Sequence, residues 1–218
     1  MKHPLNLEKL FLFLDSQSIV LSDQQQDQFR KYQVLLKTWS RKHNLVSKKD
    51  IIHLVERHFL PSTFLSFCLP DIIDGKLIDI GTGAGFPGIV LKILRPDISL
   101  TLLDSSHNKV LFLEEVCEQL ALDCPIICQR CEEYNPKTSD GYHLAVSRAV
   151  ARLDLLWKWS GHLIEDGGCL YAIKGGDYKQ EIDELSVNNF KIEVITPDED
   201  WLRVSSYLNH KFILKLER

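Results

Sequence analysis

Two aspartates and a run of glycines form the part of the chain best suited to chemistry. The stretch KLIDIGTGAGFPGIVLKIL, residues 76–94, places Asp79 at the end of an apolar run, and glycines follow at once. This pattern predicts a strand, a tight turn and the start of a helix, with bare backbone open to a ligand. Asp104 ends the next apolar run. We therefore expect a nucleotide-like cofactor at this turn.

Two nucleotide-binding patterns fit the glycines. Residues 83–88 match the G-x-G-x-x-G of dinucleotide-binding proteins, and residues 79–85 match the acid-x-G-x-G-x-G turn of S-adenosylmethionine enzymes. Both patterns place an acid such as Asp104 on a ribose, so Asp104 does not separate them. Asp79 favours the second pattern, because a carboxylate at the strand tip attracts a methionine ammonium and repels a pyrophosphate.

Three cysteines raise a different possibility. Cys124, Cys128 and Cys131 have the spacing C-x3-C-x2-C, which suits a [4Fe–4S] cluster in a radical enzyme that also uses S-adenosylmethionine. The segment PIIC, however, predicts a buried strand, and a cluster needs three thiolates that converge from a flexible loop. There is also no second Cys/His pair at zinc-ligand spacing. We expect buried free thiols and no metal.

From residue 76 the chain alternates between strands and helices. This alternation predicts an α/β fold with a Rossmann-like, mostly parallel, doubly wound sheet of seven strands. No clear helix separates the last two strands, so one antiparallel strand is expected in the sheet. The predicted strands are LIDI, SLTLLD, PIICQ, HLAVSRA, CLYAIK, KIEVIT and HKFILKL, and the predicted helices span residues 87–94, 107–120, 153–163 and 178–185.

Residues 1–70 predict a helical, basic extension, and residues 71–218 the cofactor-binding domain. Apolar residues recur at helical spacing in residues 27–45, after a plausible N-cap at Ser22 and Asp23; a second helix is expected over residues 48–60 and a third from Pro61. The extension carries 10 Lys and Arg residues and 6 Asp and Glu residues, so it is basic. The remainder carries 16 Lys and Arg residues and 24 Asp and Glu residues, so it is acidic. Candidate contacts to RNA phosphates are Arg30, Lys31, Lys37, Arg41, Lys42, Lys48, Lys49 and Arg57, with Lys174 in the domain.

Composition narrows the class of protein. The chain of 218 residues is long enough for one α/β core with an extension, and it has no apolar run of membrane-spanning length. Its six cysteines show no disulfide rhythm, so we expect a cytoplasmic protein. The sequence does not give the oligomeric state, and we expect a monomer. An NAD-dependent oxidoreductase and a non-catalytic RNA-binding module remain alternatives, although no Tyr-x-x-x-Lys pair for hydride transfer is found.

Several segments together resemble one family. LIDIGTGAGFPGIVLKILRPD, LTLLDSSHNKVLFLEEV, RCEEY, VSRAVARLDLL and YAIKG follow the order and spacing of the RsmG (GidB) family, and HNLVS and ERHFLPS resemble its N-terminal segments. Members of this family are bacterial enzymes that methylate N7 of a guanosine in 16S ribosomal RNA. The resemblance covers nearly the whole chain. It implies a class I methyltransferase fold, S-adenosylmethionine as cofactor, and 16S rRNA or the small ribosomal subunit as partner.

The resemblance also implies site residues. It places cofactor contacts at Gly81, Phe86, Cys131, Glu132 and Arg148, with Asp104 on the ribose. With the turn residues, the predicted cofactor site comprises Asp79, Gly81, Gly83, Gly85, Phe86, Asp104, Cys131, Glu132 and Arg148. Val90, Pro61 and Val46 stand where the family commonly has Pro, Asp and Thr. Pro61 removes a carboxylate near the expected substrate side and Val46 a hydroxyl, so we assign neither position a role.

The motifs that are missing agree with a ring-nitrogen acceptor. Guanine N7 carries an in-plane lone pair and no proton, so transfer to it needs placement and compatible electrostatics but no general base. The sequence lacks the Asn/Asp-Pro-Pro-aromatic loop of amine-methylating enzymes after the fourth strand, and it contains no Pro-Cys dipeptide as in cytosine C5 enzymes. No catalytic residue is assigned, and Arg148 is a candidate for positioning the base. A different acceptor for the same class of enzyme remains an alternative.

Overall fold

The computed structural model describes residues 4–43, 45–71, 75–136, 141–183 and 191–218. Within these residues one seven-stranded sheet has the order β3-β2-β1-β4-β5-β7-β6. The strands are β1 (Lys76–Ile80), β2 (Ser99–Asp104), β3 (Ile126–Cys128), β4 (Tyr142–Arg148), β5 (Ile164–Gly175), β6 (Lys191–Ile195) and β7 (Lys211–Glu217). All seven predicted strands are therefore present, although β3 is shorter than the segment PIICQ and β5 begins earlier than CLYAIK.

Strand directions confirm the prediction of one reversed strand. β1 pairs in parallel with β2 and β4, whereas β7 is antiparallel to both of its neighbours, β5 and β6. The last strand thus inserts between β5 and β6. This position depends on long-range pairing and had no signal in the sequence.

The helices are α1 (Leu7–Ser16), α2 (Asp23–His43), α3 (Lys48–Ile52), α4 (Leu60–Cys68), α5 (Gly88–Leu94), α6 (His107–Leu120), α7 (Leu153–Ser160), α8 (Tyr178–Asp183) and α9 (Glu199–Val204), with a π-helical turn at Val55–Phe59 and 3₁₀ turns at Gly161–Leu163 and Ser206–His210. No described helix has both the length and the apolar character needed to cross a membrane.

The structure departs from the helix predictions at two places, residues 48–60 and α9. The single helix expected over residues 48–60 is divided, because α3 ends at Ile52 and a π-helical turn then runs directly into α4. A short helix, α9, lies where no clear helix was expected; the Asp198 carboxylate caps it by accepting from the N–H groups of Asp200 and Trp201. Residues 184 and 185, the expected end of α8, lie outside the described residues.

The start of α2 confirms the predicted N-cap. The Ser22 hydroxyl accepts a hydrogen bond from the Gln25 N–H at 3.2 Å, and the Gln25 side-chain oxygen accepts from the Ser22 N–H at 3.0 Å. This reciprocal pair is a capping box, which satisfies two N–H groups that the helix leaves unpaired.

Helices cover both faces of the sheet. One apolar cluster joins residues of α1, α2, α4, α5 and α6 to the face of β1 that carries Leu77. The other cluster joins residues of α7 to the opposite face, which carries Ile78 and Ile80. Because the N-terminal helices share the first cluster with the sheet, they pack directly on the α/β core and reach Ala84 and Phe86 of the glycine turn.

Candidate active site

The glycine turn joins β1 to α5 at the carboxyl end of the sheet. Gly81, Gly83 and Gly85 have φ values of 64°, 63° and 91°, in the left-handed region that favours glycine. A Cβ atom on Gly81 would lie 2.5 Å from Cγ2 of Val150, so the loop after β4 rests on the turn. At Gly83 the nearest atom to such a Cβ is a backbone oxygen at 3.8 Å. The backbone at Gly83 is therefore open to a ligand.

Asp104 lies beside this open backbone, at the end of β2. One oxygen of its carboxylate accepts hydrogen bonds from the Gly83 N–H at 2.9 Å and from the Lys109 ammonium at 3.3 Å. The other oxygen accepts from the Ser106 N–H at 2.9 Å. The carboxylate is almost fully buried. It is thereby fixed in orientation, as a group that accepts hydrogen bonds from ribose hydroxyls should be.

A cavity of about 310 Å³, here called the turn cavity, lies next to Asp104. Ligand sites of this kind commonly measure about 300–1,000 Å³. The carboxyl ends of β1, β2, β3 and β4 all contribute to it. Its lining includes Gly81, Asp104, Lys109, Cys131, Glu132, Ala149, Val150 and Trp159. The structure thus brings together Gly81, Asp104, Cys131 and Glu132 from the predicted cofactor set, with Gly83 bonded to Asp104.

Asp79 lies beneath the turn and does not line this cavity. Its carboxylate is fully buried and accepts a hydrogen bond from the Gly88 N–H at 2.7 Å, at the start of α5. Burial raises the pKa of Asp79 to about 7, against the opposing effects of Thr82 and of the Gly88 N–H. Oδ1 of Asp79 and the Thr82 hydroxyl are buried without a hydrogen-bond partner among the described residues. The contact of Asp79 with a cofactor ammonium stays a prediction.

Phe86 also lies outside the turn cavity, on the side of the N-terminal helices. Its ring is buried against those of Tyr32, His58 and Phe59, at centroid distances of 5.1–5.4 Å. The Tyr32 hydroxyl donates to the carbonyl oxygen of Ala84 at 2.5 Å. The N-terminal extension therefore supports the glycine turn from behind. Any cofactor contact at Phe86 would involve its backbone.

Arg148 ends β4 and reaches the N-terminal helices. Its guanidinium donates to the Arg57 carbonyl at 3.1 Å and lies 2.6 Å from Nδ1 of His58, and it stacks over Phe86 at 5.0 Å. Burial, and then the charge of Arg148, lowers the pKa of His58 to about 3. His58 is consequently neutral, and its Nδ1 accepts from Arg148. The predicted direct contact of Arg148 with the cofactor stays a prediction.

Pro61 follows the π-helical turn directly. In that turn the Leu60 N–H donates to the carbonyl five residues earlier, that of Val55, and Pro61 has no N–H to continue this pattern. The Arg57 carbonyl, in the same turn, accepts a hydrogen bond from Arg148. Pro61 lies in the first turn of α4, where proline is tolerated.

A second cavity of about 580 Å³ lies beside the first and is here called the arginine cavity. Ala149 and Val150 line both cavities, so the two cavities adjoin at these residues. Ala149 has φ of 55°, which is unusual for a residue other than glycine. Charged and aromatic side chains dominate the lining of the arginine cavity. This lining includes Asp50, Arg57, His58, Arg148, Arg152, Lys174, Glu181, Tyr207, His210 and Lys211.

Lys174 lines the arginine cavity but is engaged within the protein. Its ammonium donates to the Ala151 carbonyl at 2.5 Å and to Glu181 at 2.9 Å, and only 8% of the side chain is exposed. Its predicted contact with RNA phosphate remains untested. The structure shows that the charge of Lys174 is already balanced by Glu181.

The basic residues of the extension fall into separate groups. Arg30 is paired with Glu8, and Lys31 with Asp27. Arg57 is paired with Asp50 at the arginine cavity. Lys37, Arg41 and Lys48 line one surface depression, and Lys42 and Lys49 are exposed.

The cysteines of the C-x3-C-x2-C segment do not converge as cluster ligands. Cys124 is buried, Cys128 is exposed, and the Cys131 thiol donates to the Trp159 carbonyl at 3.3 Å. Among the residues that the structure describes, no group of three His, Cys, Asp or Glu side chains is placed to hold a metal ion.

Sequence reasoning missed several residues of these two cavities, among them Lys109, Val150, Tyr207 and Lys211. Lys109 follows Asp104 in SSHNK, and its helical position near a strand end was a usable signal. Val150 lies in the quoted VSRAV segment but received no role. Tyr207 and Lys211, by contrast, come from the C-terminal segment and reach the arginine cavity only because β7 inserts next to β5.

Solved structures of other proteins share this architecture. The plantazolicin methyltransferase BpumL, in complex with a triazolic desmethylPZN analog and SAH, superimposes with a TM-score of 0.58 at 11% identity, over 88% of this chain and 98% of that one. An rRNA methylase from Streptococcus thermophilus superimposes with a TM-score of 0.51 at 15% identity, over 72% of this chain and 93% of that one. At these identities the likeness concerns the fold, a class I methyltransferase fold.

Sequence comparisons identify the family. The model of the GidB family, described as rRNA small subunit methyltransferase G, matches residues 25–197. The ribosomal RNA small subunit methyltransferase G of Pasteurella multocida is 35% identical over 181 residues, 82% of this chain and 83% of that protein. The protein of the same name from Psychromonas ingrahamii is 32% identical over 213 residues, 97% of this chain and 98% of its own length. The chain therefore belongs to the GidB family of rRNA small subunit methyltransferase G proteins.

Proposed function

We propose that this protein is a cytoplasmic methyltransferase that uses S-adenosylmethionine to methylate N7 of a guanosine in the RNA of the small ribosomal subunit. Its relatives carry the name ribosomal RNA small subunit methyltransferase G. Membership of that family supports the reaction and the class of RNA. The proposed atom, N7, comes from the family resemblance and from the chemistry of the arginine cavity.

The residues of the turn cavity fit the proposed cofactor. Gly83 leaves room for a ligand against bare backbone, and the oriented Asp104 carboxylate suits a ribose diol. Cys131 and Glu132, from the predicted cofactor set, line the same cavity. When bound, S-adenosylmethionine supplies an electrophilic methyl group.

The observation that carries the proposal is that the two cavities adjoin. Ala149 and Val150 line both the turn cavity and the arginine cavity, so ligands in the two sites would lie next to each other at these two residues. A group-transfer enzyme needs such a meeting point, because in-line attack requires the reacting atoms to approach within about 3–3.5 Å. We assign the arginine cavity to the nucleotide that accepts the methyl group.

The charges of the arginine cavity fit an acceptor that carries no proton. Its two carboxylates, Asp50 and Glu181, are ion-paired with Arg57 and Lys174. His58 is neutral at physiological pH and its Nδ1 accepts from Arg148. None of these side chains is therefore a ready general base, and N7 of guanine needs none.

Other cations of the same cavity suit the proposed acceptor. Arg148 and Lys211 also line it, and such donors suit phosphate oxygens and O6 of guanine, which accepts hydrogen bonds.

Methyl transfer from labelled S-adenosylmethionine tests the proposal. The acceptors are unmodified small ribosomal subunits and, in parallel, the RNA stripped from them; labelled RNA is cleaved at N7-methylguanosine and mapped. We expect one cleavage site. Label without cleavage would contradict the N7 assignment, and no label in either acceptor would contradict the RNA substrate. Thermal stabilisation by S-adenosylhomocysteine but not by NAD separately tests the cofactor.

A further inference from the structure

The loop between β4 and α7, residues 149–152, lies where the two cavities adjoin and has an unusual conformation. Ala149 adopts a positive φ of 55°, and Val150 packs on Gly81. A non-glycine residue in this region is strained by about 1–2 kcal/mol, and such a conformation persists only where the surroundings hold it. The side chains that hold this loop are therefore of interest.

Lys174 and Glu181 hold the loop at two successive points. The Lys174 ammonium donates to the Ala151 carbonyl at 2.5 Å and to Glu181 Oε2 at 2.9 Å. The same carboxylate oxygen accepts from the Leu153 N–H at 2.9 Å, in the first turn of α7. The N-cap residue of α7, Arg152, provides no side-chain cap of its own. The pair thus bonds a carbonyl and an N–H on either side of residue 152.

The burial of this pair argues for a role other than stability. Exposed fractions of the two side chains are 8% for Lys174 and 23% for Glu181. A buried ion pair contributes little net stability, because removing both charges from water offsets their attraction. The pair instead fixes the conformation of the loop, through three hydrogen bonds that meet at one ammonium and one carboxylate.

We propose that Lys174 and Glu181 are positioning residues for methyl transfer. By fixing residues 151–153 they keep Ala149 and Val150, which line both cavities, in place beside the point where acceptor and cofactor meet. Lys174 then acts within the protein and not as a contact to RNA phosphate. This inference rests on the proposed function of the two cavities.

The test uses the full-length protein with Glu181→Gln, Lys174→Met and the double variant. Each single change should lower kcat by about tenfold to a hundredfold, as expected for a displaced reacting geometry. The Kd for S-adenosylhomocysteine and the KM for RNA should change by less than about threefold. The double variant should match the worse single variant, because both changes remove one unit. Lys174→Arg, which retains a charged donor, should recover part of kcat.

A matched control comes from the far part of the sheet. Lys215 and Glu193 form a pair at 3.6 Å between β7 and β6, and Glu193→Gln should leave kcat unchanged. Three results would overturn the proposal: normal kcat in both single variants at temperatures where they are folded, a lower salt slope of RNA binding with unchanged kcat in Lys174→Met, or losses that simply add in the double variant.

Amide hydrogen exchange separates this inference from the proposed function. The Val150 and Leu153 amides should exchange faster in Glu181→Gln than in the wild type, with no acceptor present. A wild type that methylates no RNA would refute the proposed function. In that case the exchange result still decides whether the pair orders the loop, and unchanged exchange would overturn that role.

Discussion

Arg148 and His58 form a hydrogen bond that ties the last residue of β4 to the N-terminal helices. The distance between Nη2 of Arg148 and Nδ1 of His58 is 2.6 Å. Because the pKa of His58 is lowered to about 3, the imidazole accepts and does not compete as a second cation. The same guanidinium donates to the carbonyl of Arg57, in the π-helical turn. The N-terminal extension therefore sets the direction of a charged side chain that lines the arginine cavity.

Replacing His58 should show how much this hydrogen bond contributes. His58→Leu removes the acceptor and leaves a buried guanidinium N–H without it, which should cost about 1–3 kcal/mol of unfolding free energy. His58→Asn places an amide oxygen near the position of Nδ1 and should cost less. Urea unfolding at pH 7.5 measures both. Equal losses in the two variants would show that ring packing against Phe86, and not the hydrogen bond, stabilises this contact.

The same residue should make stability depend on pH. Between pH 6.5 and about 3 the unfolded chain binds a proton at His58 that the folded protein does not, so the folded state loses stability as the pH falls. His58→Asn should lack this contribution. Unfolding midpoints at pH 5 and pH 7.5 should therefore differ less in the variant than in the wild type; an unchanged difference would contradict the neutral state of His58.

Asp79 should make the stability of the protein depend on pH in the opposite direction. Its pKa is raised from 3.8 to about 7, so between these values the folded protein holds a proton that the unfolded chain has lost. Its contribution to stability decreases as the pH rises through this range. Asp79→Asn cannot ionise, and it retains an oxygen to accept from the Gly88 N–H. The variant should be more stable than the wild type at pH 8 and similar at pH 4.5, measured by denaturant unfolding without ligand.

Binding of S-adenosylhomocysteine to the same variant tests the predicted ammonium contact. If the ligand ammonium stabilises the ionised form of Asp79, binding at pH 6 should release a proton in the wild type and none in Asp79→Asn. Calorimetry in two buffers with different ionisation enthalpies detects the difference. Equal proton release by the wild type and Asp79→Asn would show that Asp79 does not contact the ligand ammonium and serves only to accept from the Gly88 N–H at the start of α5.

The pattern of apolar residues was sufficient for most of the fold. Leu77 and Ile78 alternate between the two faces of β1, and both faces are buried, which is why each strand appeared as a continuous apolar run. The insertion of β7 beside β5 was not predictable, because strand order depends on pairing between residues that are far apart in sequence. With that order unknown, the sequence could not place Tyr207 and Lys211 at the arginine cavity.

The candidate site was predictable where backbone geometry dictates residue type. Gly81 and Gly83 were recognised because their turn requires a positive φ. Residue type does not fix where a side chain points. Asp79 is a buried cap and Lys174 is bound to Glu181, yet both are the kinds of residue that contact ligands. Only the packing around each side chain shows which groups are already engaged.

Alanine at Gly81 and at Gly83 should have different effects although their φ values are 64° and 63°. The backbone strain, about 1–2 kcal/mol, is common to both variants. Gly81→Ala should lose further stability, since its Cβ meets Val150 at 2.5 Å. Gly83→Ala meets nothing closer than 3.8 Å but should weaken binding of S-adenosylhomocysteine by about tenfold or more. Unfolding free energies and calorimetric Kd values measure the two effects; normal binding by Gly83→Ala would place the ligand elsewhere.

The surface depression lined by Lys37, Arg41 and Lys48 should be an RNA phosphate contact, and its removal should change the salt dependence of binding. Each phosphate contact contributes about 0.7–0.9 to the slope of log K against log salt concentration. Changing all three residues to Gln should therefore reduce the slope by about 2–3, measured by fluorescence anisotropy with a 16S rRNA fragment between about 50 and 200 mM salt.

A double change of Arg30→Gln and Lys31→Gln is the matched control, because these cations are paired with Glu8 and Asp27 within the helices. Its slope should remain close to that of the wild type, since charges that are already balanced release few counterions from RNA. S-adenosylhomocysteine binding should be unchanged in both proteins, which separates RNA affinity from the cofactor site. Equal reductions in slope in the two proteins would mean that RNA responds to the overall charge of the extension and not to this depression.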